Sequence, residues 1–221
     1  MSLINNDISY KPYYEYGKYE IIKRNNFRYY KIENQLVPSV TSILRLSRTN
    51  QTYTFSSRQS DSFEIGNLMH EYLDNYVTNK EILLESSKNS QIASDLSKVI
   101  IDNIFPKISS FIASEATVHD QCKYAGTLDL LANIDNNLTI IDYKSSYRKK
   151  NTFQVDEHFQ QLAAYAIAHD NMYGTNIKQA MLFIAYKETY KYEVLKADEA
   201  LFDKYKIMWR DKLKYYDEVS K

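Results

Sequence analysis

Asp129, Asp142 and Lys144 are the residues of this 221-residue chain whose types and spacing could do chemistry. The acids sit in two apolar runs, Ala125-Gly-Thr-Leu-Asp-Leu-Leu-Ala-Asn and Leu138-Thr-Ile-Ile-Asp-Tyr-Lys-Ser, parted by the polar Ile134-Asp-Asn-Asn. That pattern predicts a β-hairpin. Side chains alternate along a strand, so Asp142 and Lys144 share a face. With Asn136-Asn137 as a two-residue loop, Asp135 pairs with Leu138, and Asp129 falls opposite Lys144 on that same face. A three-residue loop would throw Asp129 to the other face. The chemical reading therefore requires a loop of two or four residues.

Neighbouring carboxylates repel unless a cation lies between them, and oxygen ligands suit a hard ion such as Mg2+ or Mn2+. Such an ion can polarise a phosphoryl oxygen and supply hydroxide at neutral pH. Lys144, a compact point charge, would orient the water or offset developing negative charge. The chemistry predicted is phosphodiester hydrolysis. An Asp-x-Lys alone more often marks a ladder of ions on a half-exposed strand, so the surrounding residues decide.

Those surroundings resemble a known family. Gly126-Thr-Leu-Asp129, Ile141-Asp142-Tyr-Lys144 and Gln161-Leu-Ala-Ala-Tyr165 resemble the motifs of the PD-(D/E)XK nuclease superfamily, in its RecB-like branch. Gly66-Asn-Leu-Met-His70-Glu is similar to that branch's helical histidine motif, and Val37-Pro-Ser-Val-Thr-Ser-Ile-Leu44 to the segment opening many viral and organellar members. Phe183-Ile-Ala-Tyr-Lys187 and the helix of Trp209 resemble the end of the mitochondrial genome-maintenance exonucleases. The resemblance spans residues 28–217.

The resemblance implies roles. Asp129, Asp142 and His70 would be metal ligands with the main-chain carbonyl of Tyr143, and Lys144 the catalytic lysine. Gln161 and Tyr165 would brace the site and touch the DNA backbone. Glu115 stands where many members carry an acid upstream of the first Asp, to hold water or a second ion. The implied activity is a metal-dependent DNA exonuclease working from free ends, on single-stranded DNA, in replication, recombination or repair, and leaving 5′-phosphate and 3′-hydroxyl products. A replication or recombination protein is the implied partner. A double-strand-specific or helicase-partnered nuclease would share every motif, and a non-catalytic DNA-binding module on the same scaffold is a further reading.

Composition sets bounds. A hydrophobic content of 44% in 221 residues can bury one sizeable core. The expected organisation is an irregular, mobile arm over residues 1–18 followed by one nuclease domain over 19–221, acting as a monomer. A net charge of +0 argues against coating duplex DNA and for a local basic channel. The one cysteine, Cys122, excludes an internal disulfide and fits a reducing compartment. No apolar run reaches membrane-spanning length. The opening residues lack a signal- or transit-peptide pattern, which predicts a cytoplasmic protein. The 21 tyrosines, with abundant Asn, Lys and Ile, suggest an AT-rich phage genome, so that the compartment would be the host's cytoplasm.

The fold expected to position these residues is α/β, a mixed central β-sheet flanked by helices. Tyr19-Glu-Ile-Ile and Phe27-Arg-Tyr-Tyr-Lys-Ile predict a hairpin, and Ser39 an N-cap for a helix over 41–46. Ser39 and Thr41 at that helix start could bind a DNA phosphate. Residues 47–62, with Arg45 before them and Arg48, Tyr53, Phe55 and Arg58 among them, have the mix of cations and rings that grips single strands. A helix over 63–79 carries His70 beside its apolar stripe, and a scaffold helix over 91–113 is broken or kinked at Pro106. His119, His158 and His169 lack comparable company. Arg148, Lys149 and Lys150, following Lys144, are the predicted phosphate contacts. Gln161 and Tyr165, four apart, share a face of a helix over 156–169. Strands near 180–186 and 190–195 and a final helix from 197 or 198 complete the pattern.

Overall fold

Strand β7 (Gln179–Tyr186) is apolar on both faces, the pattern of a central strand covered above and below, and the architecture follows from it. The computed structural model describes residues 10, 12–25, 27–46, 57–82, 84, 86–121 and 123–220. Arg48, Tyr53, Phe55, Cys122, residues 1–9 and the side chain of Arg58 lie outside that description. In chain order come β1 (Glu20–Arg24), β2 (Phe27–Ile32), β3 (Gln35–Pro38), α1 (Val40–Leu46), α2 (Ser57–Val77) and α3 (Lys88–Asn103). A 3-10 turn (Phe105–Lys107), β4 (Ile108–Asp120), β5 (Tyr124–Ile134), β6 (Asn137–Ser146) and α4 (Thr152–Tyr173) follow, then β7, β8 (Tyr192–Ala197) and α5 (Glu199–Val219).

The main sheet has the order β4-β5-β6-β7-β8, with β6 and β7 parallel and the other neighbours antiparallel. A parallel pair needs a long crossover, and α4 supplies it. Phe159, Leu162 and Ala166 of α4 cover one face together with Val40 and Ile43 of α1 and Phe202 and Trp209 of α5. Ile65, Met69 and Leu73 of α2, with Leu96 and Ile100 of α3, cover the other. This is the expected α/β fold with a mixed sheet between helices. Strands β1–β3 form a separate small antiparallel sheet that meets β5 through a bridge between Ser39 and Ala125. No helix among the described residues is long and apolar enough to cross a membrane.

Several expectations need correction. The helix expected over 91–113 ends at Asn103, because Pro106 cannot donate a helical hydrogen bond; residues 108–120 are strand instead. Helix α4 begins at Thr152 rather than 156, since Asn151 and Gln154 form a capping box, and α2 begins at Ser57 rather than 63. The described part of the arm is irregular but docked. Tyr13 N–H donates to the Ile112 carbonyl at 3.4 Å, and Tyr14 and Tyr16 pack on His169 and Tyr173.

The β5–β6 loop is Asp135-Asn136, not Asn136-Asn137: these residues take φ of 51° and 61°, the conformation of a two-residue hairpin turn. Ile134 pairs with Asn137, whose side chain donates to the Asp135 carbonyl at 2.9 Å. The ladder runs to Leu130 opposite Ile141. One further step sets Asp129 across from Asp142, not from Lys144 as expected. A two-residue loop preserves parity, so both carboxylates and Lys144 remain on one face.

Candidate active site

Beyond Leu130 and Ile141 the paired strands part. β5 leans toward the small sheet, where the hydroxyls of Thr127 and Tyr30 meet at 3.1 Å, while β6 stays with β7, Lys144 beside Ile184. The cleft of about 470 Å³ in this fork is lined by Arg28, His70, Glu115, Asp129, Asp142, Lys144, Gln161 and Tyr165 among others.

Register puts three acids in one row. Ser114 pairs with Leu130 and Ala116 with Leu128, so Glu115 stands across β4–β5 from Asp129, which stands across β5–β6 from Asp142. Glu115 has a φ of 45°, uncommon for a side chain of its kind inside a strand and common where backbone serves a site. Asp129 accepts the backbone N–H of Tyr143 at 2.7 Å. Lys144 Nζ sits 2.7 Å from Oδ1 and 2.6 Å from Oδ2 of Asp142. From α4, Gln161 Nε2 donates to Asp142 at 3.4 Å and to the Tyr165 hydroxyl at 3.1 Å. A Cβ on Gly126 would overlap the Tyr165 ring, which gives the Gly-Thr-Leu-Asp motif its glycine.

His70 reaches in from α2. Its Nε2 meets the Tyr143 carbonyl at 2.9 Å, while Nδ1 lies 3.5 Å from Asp129 and 3.7 Å from Glu115. The carbonyl can only accept, so Nε2 is the donor. An unprotonated Nδ1 would turn its lone pair on two carboxylates. Burial opposes a proton on the ring, but the Asp129 and Glu115 carboxylates outweigh it and raise the pKa. Burial likewise opposes ionisation of Asp129, yet His70 and Lys144 hold its pKa below the ordinary value. For Asp142 burial wins, aided by the Asp129 charge, and lifts the pKa to about 6. Burial lowers the pKa of Lys144, but the charges of Asp142 and Asp129 raise it above the usual lysine value.

This donor set fits a divalent ion. Ligand atoms of His70, Glu115 and Asp129 lie within 4.8 Å of one another, and Asp142 adds an acid from the next strand. One imidazole nitrogen and several carboxylate oxygens suit Mg2+ or Mn2+, with Mn2+ the more tolerant of imidazole.

The predicted DNA contacts divide. Ser39 is fully buried, its hydroxyl capping α1 by accepting the Ser42 N–H at 3.1 Å and donating to Ser42 Oγ at 2.9 Å. In this structure it serves as the cap of α1 and presents no surface to the cleft. Thr41, half-buried, receives the Arg28 guanidinium at 3.3 Å. Arg148 is exposed, Lys149 pairs with Glu193 at 3.3 Å, and Lys150 is half-buried and does not line the cleft. Sequence reasoning missed Arg28, Asn67, Glu71, Asp74 and Thr127, which also line the cleft. Positions 67 and 74 flank His70 at helical spacing, a usable signal; Arg28 carried none.

Residues 105–214 match the family model of the PD-(D/E)XK nuclease superfamily. The chain is 26% identical over 211 residues to mitochondrial genome maintenance exonuclease 1 of Homo sapiens, covering 86% of this chain and 61% of that protein. To the Mus musculus protein of the same name it is 28% identical over 214 residues, with 86% and 62% covered. The Xenopus tropicalis protein is 34% identical over 79 residues, 33% of this chain and 22% of its own length. The chain thus spans about three fifths of the length of the human and mouse relatives.

Proposed function

Because the chain belongs, through residues 105–214, to the PD-(D/E)XK nuclease superfamily, we propose that it is a metal-dependent DNA exonuclease that hydrolyses single strands from free ends. Its place would be DNA replication, recombination or repair. The observation that carries this reading is the row of Glu115, Asp129 and Asp142 across three strands, with His70 against one end and Lys144 closed on the other. The names of the human and mouse relatives support the exonuclease part.

His70, Glu115, Asp129, Asp142 and the Tyr143 carbonyl would hold Mg2+ or Mn2+, which when bound supplies Lewis-acid charge and a water acidic enough to ionise near neutral pH. The chain's own groups do the rest. Lys144, its pKa raised by the charges of Asp142 and Asp129, faces the cleft beside Asp142, where its ammonium would orient the attacking water and offset charge growing on the phosphoryl oxygens. Gln161 fixes the Asp142 carboxylate against α4 and ties it to the Tyr165 hydroxyl. The N–H of Tyr143 holds the Asp129 carboxylate in its place in the row.

The test is digestion of matched linear and circular single-stranded DNA with Mg2+ or Mn2+, beside a blunt duplex. Loss of the linear single strand alone supports the proposal. Cutting of the circle contradicts the dependence on ends, and loss of only the duplex replaces the strand preference. Binding of all three without cutting would favour a non-catalytic module.

A further inference from the structure

Arg28, on β2, lines the same cleft as Lys144, and the catalytic account leaves it unused. Its backbone is fixed on both sides. The N–H donates to Ser42 Oγ at 2.8 Å, and the carbonyl accepts the Ser39 N–H at 2.8 Å. Its guanidinium is held more loosely. One terminal nitrogen reaches Thr41 Oγ1 at 3.3 Å, and the group lies 5.7 Å from the centre of the Tyr30 ring. Nε is buried without a hydrogen-bond partner. Arg28 makes no ion pair among the described residues, although Asp129 and Asp142 line the same cleft.

A guanidinium offers five N–H donors in a planar fork that matches a phosphate. A buried donor left unmade is unfavourable, so the unspent Nε of a charged guanidinium in the wall of this cleft calls for an anionic partner. The fork geometry says where that partner lies. Arg28 lies with Thr127 and Tyr30 on the β5 branch, and Lys144 is on β6; Lys150 follows in the connection to α4, near enough to feel the charges of Lys144 and Asp142, and the carboxylate row lies where the branches meet. Lys150 is half-buried and, like Arg28, has no ion pair among the described residues.

We propose that Arg28 clamps a phosphate next to the one being cut, so that the DNA strand crosses the fork from Arg28, over the carboxylate row, to Lys150. The inference rests on the nuclease reading and adds a path for the strand. Phosphates contacted this way fix the register of the strand and carry no sequence information.

The experiment measures binding of a labelled single-stranded oligonucleotide to the Lys144→Ala protein, which on the nuclease reading should hold DNA without cutting it. The oligonucleotide is prepared as a series, each member with one phosphate replaced by a neutral methylphosphonate at a defined distance from the end. One position should weaken binding to the parent by about tenfold, the value of one charged contact. In Lys144→Ala/Arg28→Gln that position should cease to matter, while the others keep their effects. The slope of log affinity against log salt should fall by about 0.7, as for one single-strand phosphate. Arg28→Lys, which keeps the charge, should retain part of the effect. A general loss of affinity with every position still felt would assign Arg28 a structural role and overturn the proposal. So would affinities equal to the parent's. If the parent binds no oligonucleotide and wild type cuts none, the nuclease reading fails and the clamp with it; if wild type cuts normally, only the clamp is at stake.

Discussion

Asp129 accepts the backbone N–H of Tyr143 at 2.7 Å, just past the last ladder pair of β5 and β6. The carboxylate takes the place of the carbonyl that β5 no longer offers once the strands part. One side chain thus satisfies an orphaned strand donor and anchors the middle of the acid row. The fork can open without leaving a buried N–H unpaired, a defect that would cost about 1–3 kcal/mol.

Addition of Mg2+ or Mn2+ should raise the melting temperature of the wild type, because a ligand that binds only the folded state stabilises it by about 2.7 kcal/mol at a hundredfold excess over Kd. Asp129→Asn keeps an oxygen for the Tyr143 N–H but removes a charge, and His70→Ala removes the nitrogen. Both should fold and lose most of the rise. A thermal melt with and without the ion, and with EDTA as control, reads this directly.

Lys144→Ala should lower the rate of hydrolysis by about a thousandfold, the scale seen when a group aimed at transition-state charge is removed. It should also destabilise the protein. Asp142 is buried beside Asp129, and removing one partner of a buried pair costs about 3–5 kcal/mol; with Lys144 at 20% side-chain exposure, screening places the loss at or below the bottom of that range. Adding Asp142→Asn should recover part of the stability and none of the activity. Urea unfolding of the three proteins separates the two effects.

Gly126→Ala should act at a distance through Tyr165. The new methyl overlaps the ring, so Tyr165 must move, and with it the hydroxyl that Gln161 holds together with Asp142. Overpacking of this kind costs about 1–3 kcal/mol. The expected signature is a fall in kcat larger than the change in KM, with a lowered melting temperature.

What the sequence made legible was local. Parity along a strand put Asp142 and Lys144 together and made Asp129 join them for any even loop, and the pairing Lys144–Asp142 follows that rule. The choice between Asp135-Asn136 and Asn136-Asn137 was open because Asp and Asn both tolerate positive φ. Arg28 and Ser39 show the limit in the other direction. Their environments depend on how the small sheet docks through Ser39 and Ala125, a contact between residues far apart in the chain. The docking of the arm was hidden for the same reason, since its tyrosines gain meaning only beside His169.

His169 predicts a pH dependence independent of the cleft. It is fully buried between Tyr16, whose hydroxyl meets Nε2 at 2.8 Å, and Thr175, which meets Nδ1 at 2.8 Å. Thr175 spends its proton on Asp170 at 2.7 Å, so Nδ1 is the donor and Nε2 accepts from Tyr16. Burial lowers the pKa to about 4. Above about pH 6.5 neither state of the chain protonates this ring; below it the unfolded chain takes up a proton that the folded one refuses until about pH 4. Stability is therefore present at neutral pH and lost on acidification, by about 2 kcal/mol between pH 7 and 5 from this group. His169→Phe should lack that component when urea unfolding is compared at the two pH values.

The measurement that tests the central claim most directly is release of acid-soluble nucleotide from linear single-stranded DNA by wild type and Lys144→Ala, each in Mg2+, in Mn2+ and in EDTA. The account predicts release by wild type with the metals, none in EDTA, and none above background from the variant under any condition. Release by wild type in EDTA, or undiminished release by Lys144→Ala, would contradict the assignment of phosphodiester hydrolysis to this fork.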